Sequence, residues 1–207
     1  MRFGLVLSLF AALFSTALLP KDASWNRIEF QCVIEGAAPT KESLLVLDEG
    51  QRREIDSLEH DTSTPQIITI SNPQSLYKDA YSALDRRFRN DPATTRKILI
   101  LSGSHGDMVP EVRRWELAFL ALRRHVIIYG VGPSDATVKA LAEETGGRVV
   151  PSIREFNADL KIMYRVIIRL PSSAVPMGAF HSLRLKVGCD PVQAAPLHYY
   201  VTPPWEK

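Results

Sequence analysis

The feature that most constrains the fold is the unbroken order of strand, helix, strand and helix signals over residues 97–147. Residues 97–101 (KILIL) form a short apolar run followed by a turn-rich loop, as expected of a buried strand. Residues 126–131 (VIIYGV) form a second run of the same kind. Because two strands joined through a helix lie parallel with a right-handed crossover, the stretch predicts an α/β fold.

The segment between these two runs predicts an amphipathic helix. Apolar residues recur there every three or four positions among paired arginines, so one helical face is apolar and the rest is charged. The apolar positions are Val112, Trp115, Phe119 and Leu122. A further helical pattern follows Ser134, whose hydroxyl is a candidate N-cap, and ends at the glycine pair of residues 146–147.

Size and charge narrow the class of protein. The chain has 207 residues, of which 45% are hydrophobic, and this suits one domain with a small appendage and a buried core. The formal net charge of +2 arises from mixed signs and gives no basic field, so nothing indicates a nucleic-acid partner. The charge balance points to no other class of partner either.

The first 20 residues have the pattern of an export signal. Met1 and Arg2 precede an apolar run that ends at Leu19, and Ser15 and Ala17 offer small side chains for cleavage. An uncleaved membrane anchor is the alternative, since the run approaches the length that spans a bilayer. We therefore expect a secreted or periplasmic protein that meets a membrane only if this segment stays attached.

The two cysteines, Cys32 and Cys189, each fall on the apolar side of a predicted strand. Export to an oxidising compartment would allow them to form a disulfide, and two buried free thiols are the alternative. Two cysteines are too few for a cysteine-based metal site.

Four motifs carry a resemblance to a known family. They are LILSG at residues 99–103, HVIIYGVG at residues 125–132, LAEETGGR at residues 141–148 and TKESLLVLDEGQRREI at residues 40–55. The first three resemble the second half of a von Willebrand factor A (VWFA) domain. The fourth is similar to a segment that precedes the A domain in a VWFA-related family of secreted proteins abundant in acidobacteria.

This resemblance implies a Rossmann-like, three-layer α/β fold with a parallel sheet, flanked by an N-terminal β element and a C-terminal β-hairpin. The implied segments are a signal peptide (1–20), the β element (21–62), a shortened A-like domain (63–163) and the hairpin with its tail (164–207). The interval between residues 70 and 97 has room for one helix only, whereas a full A domain places a helix, two strands and a ligand loop there. We therefore expect a parallel sheet of about four strands.

The resemblance also implies where a metal ion would bind. An A domain typically holds Mg²⁺ with an Asp-x-Ser-x-Ser loop after its first strand, a Thr from a second loop and an Asp after a later strand. In this chain Ser71 stands at the first Asp, Pro73 replaces the middle Ser, Ser75 keeps its hydroxyl, and Ser102 stands at the later Asp. Mg²⁺ needs charged oxygen ligands to offset its dehydration, so we expect no metal ion and no other cofactor at this degenerate site.

The candidate binding residues on these loops are Ser71, Ser75, Ser102, His105 and Asp107. His105 and Asp107 could act as substitute ligands, although Asp107 also suits a cap of the helix that follows. The function implied is non-enzymatic protein binding or scaffolding through the carboxyl ends of the strands, with a protein partner that the sequence does not identify.

Two alternatives remain open at this point. A serine hydrolase would use Ser102 or Ser104 with His105 or His125, although the nucleophile-elbow motif Gly-x-Ser-x-Gly is absent. A decayed, non-functional relative would show an exposed apolar sheet edge.

Overall fold

The structure, a computed structural model, describes residues 25–88, 96–103, 105, 108–171, 180–192 and 197–200. The predicted export signal over residues 1–20 lies outside these ranges. Within them, no helix has both the length and the apolar character needed to cross a bilayer.

The described residues form two sheets and several helices. The strands are β1 (Trp25–Val33), β2 (Leu44–Asp48), β3 (Gln51–His60), β4 (Gln66–Ser71), β5 (Lys97–Ser102), β6 (Val126–Val131), β7 (Val149–Val150), β8 (Met163–Pro171), β9 (Phe180–Val187), β10 (Asp190–Pro191) and β11 (Leu197–Tyr200). The helices are α1 (Leu76–Ser82) with a π-helical turn (Ala83–Arg87), α2 (Glu111–Arg123), α3 (Ala136–Glu144), and α4 (Ile153–Asp159) with a 3₁₀ turn (Leu160–Ile162).

The larger sheet is antiparallel and brings together strands from both ends of the chain. Its order is β1-β8-β3-β2-β9-β10, with β11 also paired to β9, and it curves into a nearly closed, barrel-like shape. Alternate residues of these strands fill its interior, because successive side chains of a strand point to opposite faces. The fully buried members of this core include Cys32, Val166, Ile168, Leu170 and Leu183.

The smaller sheet is parallel, with the strand order β4-β5-β6-β7. The strands predicted from residues 97–101 and 126–131 do lie parallel in it, from Lys97 opposite Val126 to Ser102 opposite Val131. The strands follow one another in chain order, so right-handed crossovers place α1, α2 and α3 on one face. The other face packs on α4 and on the ends of β1 and β8, through Phe156, Val33 and Met163.

The prediction of a three-layer parallel sheet of the A-domain type is therefore wrong. The larger sheet is antiparallel, and the parallel sheet is a four-stranded unit that the chain forms between β3 and β8. Strand β4 lies at the edge of the parallel sheet. With no reversal of strand order there is no switch point and no second layer of crossover helices, which a doubly wound sheet requires.

A buried junction joins the two sheets. The Arg96 side chain is 6% exposed, and its guanidinium donates to the Ser63 carbonyl (2.9 Å) and to the Leu160 carbonyl (3.0 Å). Asp61 lies 3.5 Å from the same guanidinium and accepts a 2.6 Å bond from the Gln31 amide of β1. Arg96 thus ties the segment where the chain enters the parallel unit to the segment where it leaves.

Helix α2 turns a different face to the core from the one that its apolar periodicity predicts. Leu117, Ala118 and Ala121 are buried against the sheet, while Val112 is 80% exposed and Trp115 is 44% exposed. Small alanine side chains let the helix approach the strands closely, so the face that carries them is the one that packs. The predicted apolar stripe lies largely on the outside.

A buried polar cluster closes the antiparallel sheet around Asp48, which is 1% exposed. Its Oδ2 accepts from Arg53 Nε (2.9 Å) and Nη2 (2.7 Å). Its Oδ1 accepts from the Tyr199 hydroxyl (2.9 Å) and lies 3.2 Å from His181 Nδ1, whose ring stacks on that of Tyr199. One carboxylate therefore connects β2, β3, β9 and β11.

Replacement of this carboxylate tests how far the sheet depends on the cluster. We expect Asp48→Ala to lower the free energy of unfolding by about 3 kcal/mol, because it leaves Arg53 without its partner in a buried site. The exposed variant Glu54→Ala on β3 is the control and should change stability by less than about 0.5 kcal/mol. Urea denaturation measures both, and equal effects of the two substitutions would contradict a central role for Asp48.

The same cluster predicts a loss of stability in alkali. Burial, and after it the Asp48 carboxylate, raises the pKa of Tyr199. The buried Tyr199 contributes fully to the free energy of unfolding below the ordinary tyrosine pKa of about 10. Above that pH its contribution falls, because the tyrosine of the unfolded chain releases its proton and the tyrosine of the folded chain does not. Between pH 10 and 11 we expect the wild type to lose about 1 kcal/mol more unfolding free energy than Tyr199→Phe. Parallel urea-denaturation curves across this interval would contradict the assignment.

Candidate functional site

The carboxyl edge of the parallel sheet brings two of the predicted site residues together. Ser71 ends β4 and Ser102 ends β5, in register with each other. The Ser102 hydroxyl donates to the Ser71 hydroxyl over 3.1 Å. The two positions that the resemblance matched to metal-binding carboxylates thus hold a neutral, mutually bonded pair of hydroxyls.

Asn72 connects the loops that follow β4 and β5. The sequence analysis did not select this residue. Its backbone N–H donates to the Ser102 carbonyl (2.8 Å), and the residue has a positive φ of 47°. Gly103 has a φ of 79°, and a Cβ placed on it would come within 2.0 Å of Asn72 Oδ1. The Asn72 amide therefore occupies the space that only glycine leaves open. Its signal in the sequence was the Asn-Pro pair after a strand, which is typical of a tight turn.

His105 is held by a residue that the sequence analysis did not select. Its Nε2 lies 2.8 Å from Asp135 Oδ2, and the His105 side chain is 6% exposed. The other oxygen of Asp135 accepts from the Val138 N–H (2.9 Å), so Asp135 is the N-cap of α3. The predicted cap, Ser134, donates to the Gly132 carbonyl instead (3.3 Å). Asp135 could have been found as an Asp just ahead of a helical pattern.

The remaining candidates fall into three groups. Ser75 lies at the N-cap position of α1, where its side chain makes no capping hydrogen bond. Asp107 and Ser104 lie outside the described residues. His125 precedes β6 at the amino edge of the sheet, a strand length of about 17 Å from Ser102, so these two are not brought together.

The chemistry of this edge is that of neutral hydrogen-bonding groups. Among the described residues, no three His, Cys, Asp or Glu side chains converge to form a set that could hold a metal ion. Asp135, which faces His105, is already engaged as a helix cap. Hydroxyl and amide oxygens alone bind Mg²⁺ weakly because they compete poorly with water.

An outward apolar stripe begins beside this edge. The stripe consists of Met108, which precedes α2 and is 94% exposed, and of Val112 and Trp115, which lie three residues apart on one side of the helix. The Arg114 guanidinium lies 4.8 Å from the centroid of the Trp115 ring, and His198 of β11 meets the ring edge-on at 6.1 Å. The tryptophan is thus held in place by its neighbours while much of its ring faces solvent.

A second aromatic group borders the stripe. The Tyr77 hydroxyl donates to Glu116 over 2.6 Å, and the Arg113 guanidinium lies 4.7 Å from the centre of the Tyr77 ring. These contacts fix the surface between α1 and α2.

The two cysteines differ in their surroundings, and both are free thiols in the structure. Cys32 is fully buried in the antiparallel sheet, and this burial raises its pKa to about 12. Cys189 lies in the turn after β9 and is exposed, contrary to its predicted place on the apolar side of a strand. Because its pKa is so high, the Cys32 thiol is unreactive at neutral pH.

Comparison of the chain with protein-family models, with curated proteins and with solved structures found no match. The resemblance to the VWFA-related family stays a prediction, since these comparisons do not bear on it.

The neutral edge makes a prediction about metal ions. Titration of purified protein with Mg²⁺ or Mn²⁺ should give no saturable heat in the micromolar range, because the described residues of this edge offer no free carboxylate pair to offset dehydration. Isothermal titration calorimetry measures this directly. Micromolar binding that Ser71→Ala or Ser102→Ala abolishes would contradict it.

Proposed function

We propose that this is a non-enzymatic, secreted or periplasmic protein that binds another protein without a metal ion. The proposed contact surface is the carboxyl edge of the parallel sheet together with the outward stripe of α2. The observation that carries the proposal is the exposure of Val112 and Trp115 on one side of α2, with exposed Met108 just ahead of the helix, although α2 has another apolar face that fills the core.

The exposed stripe has the composition of an interface centre. Trp, Met and Arg are enriched at the centres of protein interfaces, where a few anchors carry most of the binding energy. Burial of Met108 and Val112 alone would contribute about 3 kcal/mol, at about 25 cal/mol per Å² of apolar surface. Val112 and Trp115, about one helical turn apart, suit an apolar face of a folded partner that packs along α2.

The serine edge supports recognition of a neutral polar group next to these anchors. The hydroxyls of Ser71 and Ser102 and the Asn72 amide offer donors and acceptors without a net charge. An adhesion-type contact through a bound cation would need a carboxylate ligand here, so the proposed contact is direct. The proposal of export rests on the predicted signal over residues 1–20.

The hydrolase alternative has less support from the geometry. The single proton of the Ser102 hydroxyl is donated to Ser71, and His125 lies at the opposite edge of the sheet. The decayed-protein alternative has one observation in its favour, since Ile67 on the edge strand β4 is 40% exposed. Insoluble expression of the full chain would favour that alternative.

Site-specific photocrosslinking tests the proposed surface. p-Benzoylphenylalanine at position 112, in cells that produce the protein natively, should give an adduct of one defined mass that persists in EDTA. The same residue at position 54 on β3 is the control and should give none. Met108→Asp in the crosslinking background should reduce the adduct at least about fivefold, because it places a charge in the apolar contact.

Two results would contradict the proposal. Equal adducts at positions 112 and 54 would show contact without a preferred surface. An adduct that Met108→Asp leaves unchanged would show that the stripe does not carry the binding.

A further inference from the structure

The outer edge of β4 presents backbone hydrogen-bonding groups. Strand β4 pairs with β5 on one side and with no described strand on the other. The Gln66 N–H donates to the Arg96 carbonyl (2.6 Å) and the Asn72 N–H donates to the Ser102 carbonyl (2.8 Å), both towards β5. Because alternate residues of a strand direct their N–H and C=O groups to opposite neighbours, the even-numbered residues of β4 face β5. The residues whose N–H and C=O groups point outwards are Ile67, Thr69 and Ser71.

The other edges of the two sheets have features that discourage pairing with a second chain. β7 and β10, at the ends of their sheets, consist of two residues each. β1 carries exposed charges at Arg27 and Glu29, and β11 packs against α2 through His198 and Trp115. Very short edge strands, charged side chains and a covering helix are common ways to keep an edge from pairing.

β4 has none of these features on its outer edge. Its sequence, QIITIS, contains neither a charged residue nor a proline, and its pairing with β5 runs without a register shift. Half of its residues are isoleucines, and the side chain of Ile67 is 40% exposed. An edge of this kind is expected to pair with another strand.

Helix α1 carries opposite charges on the side that overhangs this edge. The Tyr77 hydroxyl bonds to Glu116, so the Tyr77 side of α1 faces α2, which lies further from β4. Asp79 is about 200° further around the helix than Tyr77 and therefore lies on the side away from α2. Arg87 follows Asp79 by two turns, of which one is α-helical and the other π-helical, and so lies on the same side. Both side chains are exposed.

We propose that β4 pairs antiparallel with β4 of a second copy of this chain about a two-fold axis, so that the two parallel units form one continuous sheet. Two-fold symmetry brings the amino end of α1 in one copy beside the carboxyl end of α1 in the other. Asp79 of each copy then lies opposite Arg87 of the other copy. The anchors of the protein-binding proposal lie on α2, so this inference does not depend on that proposal.

A second copy is the favoured occupant because both layers of the contact are self-complementary. A strand of this length is too small by itself for a stable interface, which buries at least about 1,200 Å² in total. The contact between the two α1 helices supplies the second layer. Residues 66–71 of the strand and residues 76–87 of the helix each span roughly 20 Å, so the two layers match in length. A strand from an unrelated protein would leave the Asp79 and Arg87 side chains without this complementary partner.

Sedimentation velocity of the full chain tests the proposal. Over concentrations from about 1 µM to about 1 mM we expect a reversible equilibrium between one chain and two, because an interface near the lower limit of size binds weakly. The measured mass should reach that of two chains and rise no further, because a two-fold contact uses the free edge of both copies.

One pair of variants tests the strand contact. Thr69→Pro removes an N–H that points outwards, so it blocks pairing with a second copy and leaves the hydrogen bonds to β5 in place. We expect the dissociation constant of the dimer to rise at least about tenfold. Thr69→Val keeps the N–H and is the matched control, which should leave the constant within about twofold of the wild type. Circular dichroism checks that both variants are folded.

A charge exchange tests the helix contact. Asp79→Arg alone or Arg87→Asp alone places like charges opposite each other and should weaken the dimer at least about fivefold. The two substitutions in one chain restore opposite charges and should return the constant to within about twofold of the wild type. A loss of binding caused by misfolding would not be reversed by the second substitution.

A single chain at every concentration would overturn the proposal and would leave the edge to a strand of another protein. Assembly that grows beyond two chains would also overturn it and would favour the decayed-protein alternative. A dimer that folded Thr69→Pro leaves unchanged would rule out β4 as the contact, and failure of the charge exchange to restore binding would rule out the two-fold arrangement. None of these results affects the dependence of the position 112 adduct on Met108, so the two proposals fail separately.

Discussion

The pairing of β8 with both β1 and β3 is the constraint on which the rest of the structure depends. Strand β8 lies antiparallel to β1 over nine residue pairs, from Trp25 opposite Pro171 to Val33 opposite Met163, and its other edge pairs with β3. The segment between β3 and β8 must therefore leave and return at nearly the same place. Arg96 holds this return point closed through the carbonyls of Ser63 and Leu160. A parallel unit attached in this way needs no long linker and keeps a fixed position against the larger sheet.

The way in which the parallel unit is attached to the antiparallel sheet explains why it exposes two separate surfaces. With the strand order β4-β5-β6-β7, the crossover helices cover one face, and the other is left for α4 and the antiparallel sheet. Because side chains alternate along β6, Ile128 lies in the core under the helices and Tyr129 lies on the opposite face of the sheet. On that face, Tyr129 lines a cleft between the antiparallel sheet and the parallel unit. Gly147 completes the cleft, because a Cβ there would lie 2.0 Å from the Ile128 carbonyl oxygen. The glycine pair that ends α3 is thus also the place where the cleft meets the sheet.

The sequence predicted local structure well where one periodicity dominates. Apolar runs and breakers correctly predicted β5, β6 and α3. The fold class was wrong because alternation in β1 or β8 shows that a strand is half-buried and not which strand it pairs with. The predicted buried face of α2 was wrong. Alanines carry little weight in an apolar pattern, but their small side chains decide how closely a helix packs. Ser71 and Ser102 were selected through the resemblance, and they lie together because parallel strands end at one edge of a sheet. The cleft between the two sheets joins residues from Val33 to Val192, which are too far apart in the chain to give a local signal.

One buried ion pair, Arg114–Glu144, connects the outward side of α2 with the end of α3. The Arg114 guanidinium lies over the Trp115 ring on one side, and it bonds to Glu144 of α3 on the other. Both partners of this pair are largely buried, so neither can move without a cost to the other. Glu144 is next to Glu143, which lines the cleft, and one residue separates it from the glycine pair. The Arg114 guanidinium therefore connects Trp115 to the end of α3. Coupling between these two places would follow this contact and would not require the sheet to move.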